Sequence, residues 1–249
     1  MQAPDHPAHG LGLPVSARLA WWGTSWLRGL AVTDLVVDAV LADDATHVVA
    51  GLPGVEGSVG LARALGELRA ARATGVGLAL PAPGDPVGLG GPAELNAGAL
   101  VAGEAVVSGG LGLVPLRVGA AVEWTAYAAA PRPLVDVGEA DRGLRRALTD
   151  SATMLADLDV ARWRPEAADA LMDLHRPPRL RPAPGTPDRC VDLAARALQA
   201  GAIVDVALAD DGGAVSAGEA DLRRAALQPL AAAARRGLVA ACSPEVWPQ

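Results

Sequence analysis

The sequence predicts an α/β fold of the α+β kind: a small mixed sheet of about four strands with covering helices, then a helical, bundle-like second half. Three observations predict it. Short apolar strand-like runs alternate with helix-period segments through the first 135 residues. Beyond residue 136 only the helical period remains. The chain has 249 residues, 51% of them hydrophobic, enough for a sizeable core. The expected division is a flexible tail over 1–14, an α/β half over 15–135 and a helical half over 136–249. The two halves are expected to pack as one continuous domain, because no long linker separates them.

The elements follow in order. "SARLAWWGTSWLRGL" places Leu19, Trp22, Trp26 and Leu30 at helical spacing, with Ser16 as the expected cap. Thr33 is the expected cap of "DLVVDAVLAD", where Asp34 suits the positive end of the helix dipole. "THVVAGL" reads as a short strand. "SVGLARALGELRAARA" reads as a helix, with Leu61, Leu65 and Leu68 on one face. "GVGLALP" is the next strand. Strand, helix and strand at this spacing predict a βαβ unit with the two strands parallel. Pro92 suits the first position of a helix running to about Val107. A strand over Leu111–Val118, a tight turn at Gly119 and Ala120, and an alternating strand "AVEWTAYAA" complete the sheet.

In the second half, Leu144, Leu148, Ser151, Leu155 and Leu158 recur at alternating steps of four and three, as in a bundle seam. Pro165 is expected to start a short helix. Thr186 and Pro187 open the next one. Ser216 and Glu219 fit a capping box at the start of the last, which Pro229 should kink or split.

Composition excludes some functions. Net charge is −7 and the isoelectric point about 5.1. A chain-wide nucleic-acid footprint should be basic, so that partner is not expected. No stretch reaches the ~18 uninterrupted apolar residues of a membrane span, and no signal peptide is visible. The expected setting is cytoplasmic. All basic residues are Arg and Phe is absent, the mark of a biased genome. Cys190 and Cys242 are too few and too far apart for a zinc site or a disulfide framework, so buried free thiols are expected. No metal and no cofactor is expected.

Four places bear on function. The loop "LPAPGDPVGLGGPAELNAG", Leu80–Gly98, is crowded with Gly and Pro and carries the single Asn of the chain. A ligand site there would use Asp85 as acid, base or polar anchor, Asn96 as an orienting amide, and the backbone at Gly88, Gly90 and Gly91. The loop matches neither the dinucleotide nor the P-loop pattern, and a crossover whose turns are set by Gly and Pro is the plainer reading. The second place is "LADDGGAVSAGE", Leu208–Glu219, which overlaps the EF-hand pattern but has Leu208 and Gly212 where ligands belong. The third is "HRPPRLRP", His175 to Pro182, whose three arginines suit phosphate or an acidic partner, with a solvated extended linker as the plainer reading. The fourth is the cluster Trp21, Trp22 and Trp26. Neighbouring Trp21 and Trp22 point about 100° apart on a helix, so one of them suits a partner surface unless both faces of the helix are buried. His6 and His9 lie in the tail. His47 suits a core or edge position better than a base, and His175 closes a helix. No nucleophile motif accompanies them.

The strings "LALPAPGDPVGLGGPAELNAGALVAGEAVV", "DVARWRPEAADAL" and "LADDGGAVSAGEA" resemble a family of uncharacterised proteins of similar length from high-GC actinobacteria. The resemblance covers most of the chain from the Trp helix onward. It implies a bacterial cytosolic setting and adds no site residue. The function these features favour is non-catalytic: a cytoplasmic protein acting through protein contacts or self-association. A small-molecule binder or enzyme using the 80–98 loop is the alternative, and a degenerate calcium module at 208–219 the third.

Overall fold

A computed structural model describes residues 12–157, 174, 176–209 and 217–248. The described helices are α1 (Val15–Leu27), α2 (Thr33–Leu41), α3 (Leu61–Ala70), α4 (Ala93–Ala102), α5 (Val137–Asp157), α6 (Asp188–Ala209) and α7 (Ala217–Ala241). The strands are β1 (Thr46–Ala50), β2 (Ser58–Gly60), β3 (Gly77–Ala79), β4 (Ala105–Ser108), β5 (Leu111–Val118) and β6 (Ala121–Ala128).

The class is mixed α/β, but the sheet has six strands rather than about four, in the order β2-β1-β6-β5-β4-β3. The two unexpected strands have separate causes. β2 is three residues long and lies inside the expected α3 segment. β4 lies where the sequence predicts the end of the Pro92 helix. Gly103 in the left-handed conformation (φ 77°) stops α4 at Ala102, because a residue without Cβ reverses a helix end at least cost.

The predicted βαβ unit is also corrected. β1 pairs parallel with β6, from Thr46 opposite Ala121 to Ala50 opposite Thr125. All other pairings are antiparallel, so β3 runs opposite to β1. The strand that enters α3 is β2, formed when the chain turns back after β1. β2 and β3 point the same way, but at opposite edges of the sheet.

β5 shows how the sheet is covered. Leu111 and Leu113 face the main core with α1, α2 and α3, and Val114 faces a smaller cluster with Leu95 and Ala99 of α4. Gly112 is where Leu95 seats: a Cβ there would lie 2.5 Å from the Leu95 side chain. The main cluster continues into Leu144 of α5, Cys190 and Leu193 of α6, and Leu227 and Leu238 of α7. The free edge of β3 is closed by the Leu78 N–H donating to the Cys242 carbonyl at 3.2 Å, which removes an exposed edge.

Three caps differ from expectation. α1 starts at Val15, and the Ser16 N–H donates to the Glu104 carboxylate at 2.9 Å. An acid from the α4–β4 turn thus caps the helix. Thr33 is the first residue of α2, and its hydroxyl accepts the Trp26 indole N–H at 2.9 Å. Pro92 flanks α4 rather than opening it. α7 runs unbroken through Pro229. The expected Pro165 helix, His175, His6, His9 and the 210–216 part of the calcium-like stretch lie outside the described residues.

Candidate functional site

The 80–98 loop folds back on itself. Ala82 and Asp85 exchange backbone hydrogen bonds at 2.9 and 2.8 Å, and the Leu80 N–H donates to the Val87 carbonyl at 3.0 Å. Gly88 (φ 81°) lies so close to β3 that a Cβ would sit 2.7 Å from both the Ala79 Cα and the Leu78 oxygen. Gly90 is pressed against the Pro131 carbonyl. The Gly91 N–H donates to Asn96 Oδ1 at 3.1 Å, and the Gly91 carbonyl accepts from Ala130 at 2.9 Å.

Asp85 binds the last helix: Arg236 Nη2 lies 2.6 Å from its Oδ1 and Arg235 Nη2 lies 2.9 Å from its Oδ2. Arg132 reaches in from beyond β6. Its Nη1 donates to the Leu78 carbonyl at 2.5 Å and the Gly88 carbonyl at 3.1 Å. Of the five residues singled out in this loop, Gly91 and Asn96 are bonded to each other, while Asp85 is turned to the last helix, Gly88 packs on β3 and Gly90 on Pro131. The Asp85 carboxylate and the Asn96 Oδ1 engage partners within the chain.

A second cluster escaped the sequence reading. Asp44 accepts Arg117 Nη1 at 2.6 Å, Arg18 Nη2 at 2.9 Å and His47 Nε2 at 3.1 Å. On the other side of the ring, Trp124 Nε1 lies 3.4 Å from His47 Nδ1. Indole N–H is only a donor, so Nδ1 accepts and Nε2 carries the proton toward Asp44. Burial lowers the His47 pKa, against the pull of Asp44. Burial would raise that of Asp44, but hydrogen bonds from Arg117 and His47 and the two guanidinium charges outweigh it and hold it below the usual value. Arg18, Asp44, Glu104 and Arg117 line a cavity of about 750 Å³. The signal in the sequence is the Asp44-x-x-His47 spacing. Arg117, 73 positions from Asp44, gave none.

The tryptophans divide. Trp21 is fully buried and donates to the Ala241 carbonyl at 3.1 Å. Trp26 is also buried, with the Arg69 guanidinium 3.3 Å above its ring. Trp22 is half-buried. Both sides of α1 are covered within the chain, since ten of its thirteen residues are buried.

The exposed apolar surface lies elsewhere. α4 is apolar on every side apart from Glu94 and Asn96, yet only Leu95 and Ala99 are buried. Val101 is 84% exposed and Leu100 40%. Leu116 and Val118, on the same face of the sheet beyond Val114, are 62% and 55% exposed. Ala102 and Glu104 share a cavity wall with Arg117 and Gly119, so the end of α4 lies by the end of β5.

The N-terminal α/β half and the C-terminal helices correspond to the two domains of one protein family. Residues 16–137 match the N-terminal domain of the Rv1486c-like protein and residues 138–239 its C-terminal domain. The chain belongs to this Rv1486c-like family. Among its relatives, the uncharacterized protein Rv1486c of Mycobacterium tuberculosis strain H37Rv is 29% identical, over 94% of this chain and 98% of its own. The uncharacterized protein MT1533 of strain CDC 1551 has the same identity and coverage. No solved structure matches. Among the described residues, no helix is long and apolar enough to cross a membrane, and no group of His, Cys, Asp and Glu could hold a metal ion.

Proposed function

We propose that this is a non-catalytic cytoplasmic protein that acts through protein contacts, first of all with a second copy of itself. The observation that carries the reading is the exposed apolar surface of α4, at Leu100 and Val101, and of β5, at Leu116 and Val118. A helix apolar all round is normally buried, and contiguous exposed apolar surface marks interaction sites. A two-fold dimer is the assembly in which one patch meets its own copy.

The non-catalytic part is supported by the state of the reactive side chains. Both His47 nitrogens are engaged and its ring is wholly buried. Asp85 is held by two arginines. Both thiols are buried, that of Cys190 pushed up to about 11 by burial. Free, unpaired cysteines also suit a reducing compartment.

The test is native mass spectrometry and light scattering of the full chain over a concentration series. The expected result is a dimer for the wild type and a monomer with unchanged circular dichroism for Val101→Arg combined with Leu116→Arg. A wild-type chain that stays monomeric throughout the series overturns the reading.

A further inference from the structure

Beyond self-association, we infer that the chain binds a phosphate-bearing small molecule in the cavity lined by Arg28, Arg72 and Arg132. This cavity, about 500 Å³, lies between the end of α1, the end of α3, the β4–β5 turn and the segment after α7. That volume is typical of small-ligand sites.

The charge in it is uneven. Three guanidinium groups line the cavity with one carboxylate, Glu245, which binds Arg132 Nη2 at 2.9 Å. Among the described residues neither Arg28 nor Arg72 has an ion-pair partner, and Arg28 only stacks over the Trp247 ring at 5.2 Å. In a chain of net charge −7, this cavity carries an excess of two positive charges. A phosphomonoester near neutral pH carries ≈ −1.5 to −2, and arginine forks match its oxygens in geometry as well as charge.

The backbone at Arg72 points the same way. Fourteen described residues have positive φ, and twelve of them are glycine. Arg72 (φ 58°) follows α3, and its N–H and that of Ala73 close the helix on the Arg69 and Leu68 carbonyls. This is the position where a helix takes glycine for the least strain. An arginine there carries backbone strain that glycine would avoid, and its side chain lines the cavity. The genome's bias toward Arg over Lys has no bearing on Arg over Gly.

The third observation is Arg132. Its side chain is 4% exposed, and its Nε–H is buried without an acceptor although the rest of the fork is bonded. A buried donor left unmade is costly. Held by the Leu78 and Gly88 carbonyls, Ser243 and Glu245, Arg132 forms a fixed charged wall, and Arg28, stacked on Trp247, and Arg72 bring the charges that have no ion-pair partner among the described residues.

Calorimetry and thermal shift on the full chain test this, with pyrophosphate and inorganic phosphate as probes, citrate as a carboxylate control and sodium chloride at matched ionic strength. Binding to the folded state should raise Tm in a saturable way. The expected result is stabilisation by pyrophosphate and phosphate beyond that of chloride. Arg72→Gly should fold at least as stably without ligand, because glycine relieves the backbone, and lose at least about tenfold in pyrophosphate affinity. Arg28→Gln should also weaken it. Absence of any phosphate effect beyond chloride at millimolar concentration overturns the inference. So does an Arg72→Gly variant that binds pyrophosphate as the wild type does, and so does tighter binding of citrate than of pyrophosphate.

Discussion

His47 stands between a carboxylate that takes its proton and an indole that needs its lone pair. Protonating Nδ1 would set one N–H against another, the Trp124 N–H at 3.4 Å, inside a core where the ring has no access to water. Burial lowers its pKa below the ordinary 6.5, with Arg18 and Arg117 adding to the effect. The sign for stability follows. Well above pH 6.5 neither folded nor unfolded His47 is charged, and its contribution is complete. As pH falls below 6.5, the unfolded chain takes up a proton that the folded chain refuses, so stability declines until pH passes the depressed folded value. Urea unfolding from about pH 7 to about pH 5 should show this decline. His47→Gln, which can still donate to Asp44 and accept from Trp124, should flatten it. Asp44 titrates in a separate window, its contribution present above 3.8 and lost only as pH falls through its lowered folded value. A pH-independent midpoint in the wild type over the upper window would sink this account. At this scale the sequence was half legible. His47 read as a core residue because it sits in an apolar strand. Its partner Trp124, and the Arg117 that shares Asp44 with it, come from β6 and β5, and only the sheet register brings them together.

Elements read well where one period ran unbroken and badly where a turn residue overruled it. β5 and β6 were visible because alternation and the Gly119–Ala120 turn agree, and the structure pairs them from Leu111 opposite Ala128 to Val118 opposite Ala121. β4 was hidden because Leu100, Val101, Val106 and Val107 continue a helical pattern across Gly103. The glycine in the left-handed region, not the pattern, decides where α4 ends. The 80–98 loop shows the other use of glycine. Two substitutions separate the two uses. At Gly103 (φ 77°) nothing lies within 4 Å of an added Cβ, so Gly103→Ala pays only for the backbone, about 1 kcal/mol. At Gly88 (φ 81°) the same strain is joined by contacts of 2.7 Å with Ala79 and Leu78, which adds overpacking of roughly 1–3 kcal/mol. Chemical denaturation should therefore rank Gly88→Ala well below Gly103→Ala. Equal losses would mean that the loop does not pack on β3 as described.

At the scale of the whole molecule, what matters is whether the two halves of the family are two folding units or one. The two family domains meet at residues 137 and 138, while the change of period places the expected boundary at 135 and 136. What the sequence could not carry is the set of bonds across it. Trp21 in the first half donates to Ala241 in the last helix. Leu78 of β3 donates to Cys242. Asp85 holds Arg235 and Arg236, and Arg132 reaches Ser243 and Glu245 at 3.1 and 2.9 Å. One apolar cluster runs from Val15 to Cys242. Separating the halves would expose that surface and leave the buried Trp21 indole without its acceptor, so neither half is expected to keep its structure alone. Two probes see the halves differently. Tryptophan fluorescence reports mainly on the first half, through Trp21, Trp26 and Trp124, while far-ultraviolet circular dichroism is dominated by the long helices α5, α6 and α7. In urea the two transitions should coincide, as they do when unfolding is all-or-none. Cys190 and Cys242, both in the shared core, should react with a thiol reagent only through that same opening. Fluorescence that changes at a lower urea concentration than circular dichroism, or thiols that react before either, would show that the halves part while each stays folded.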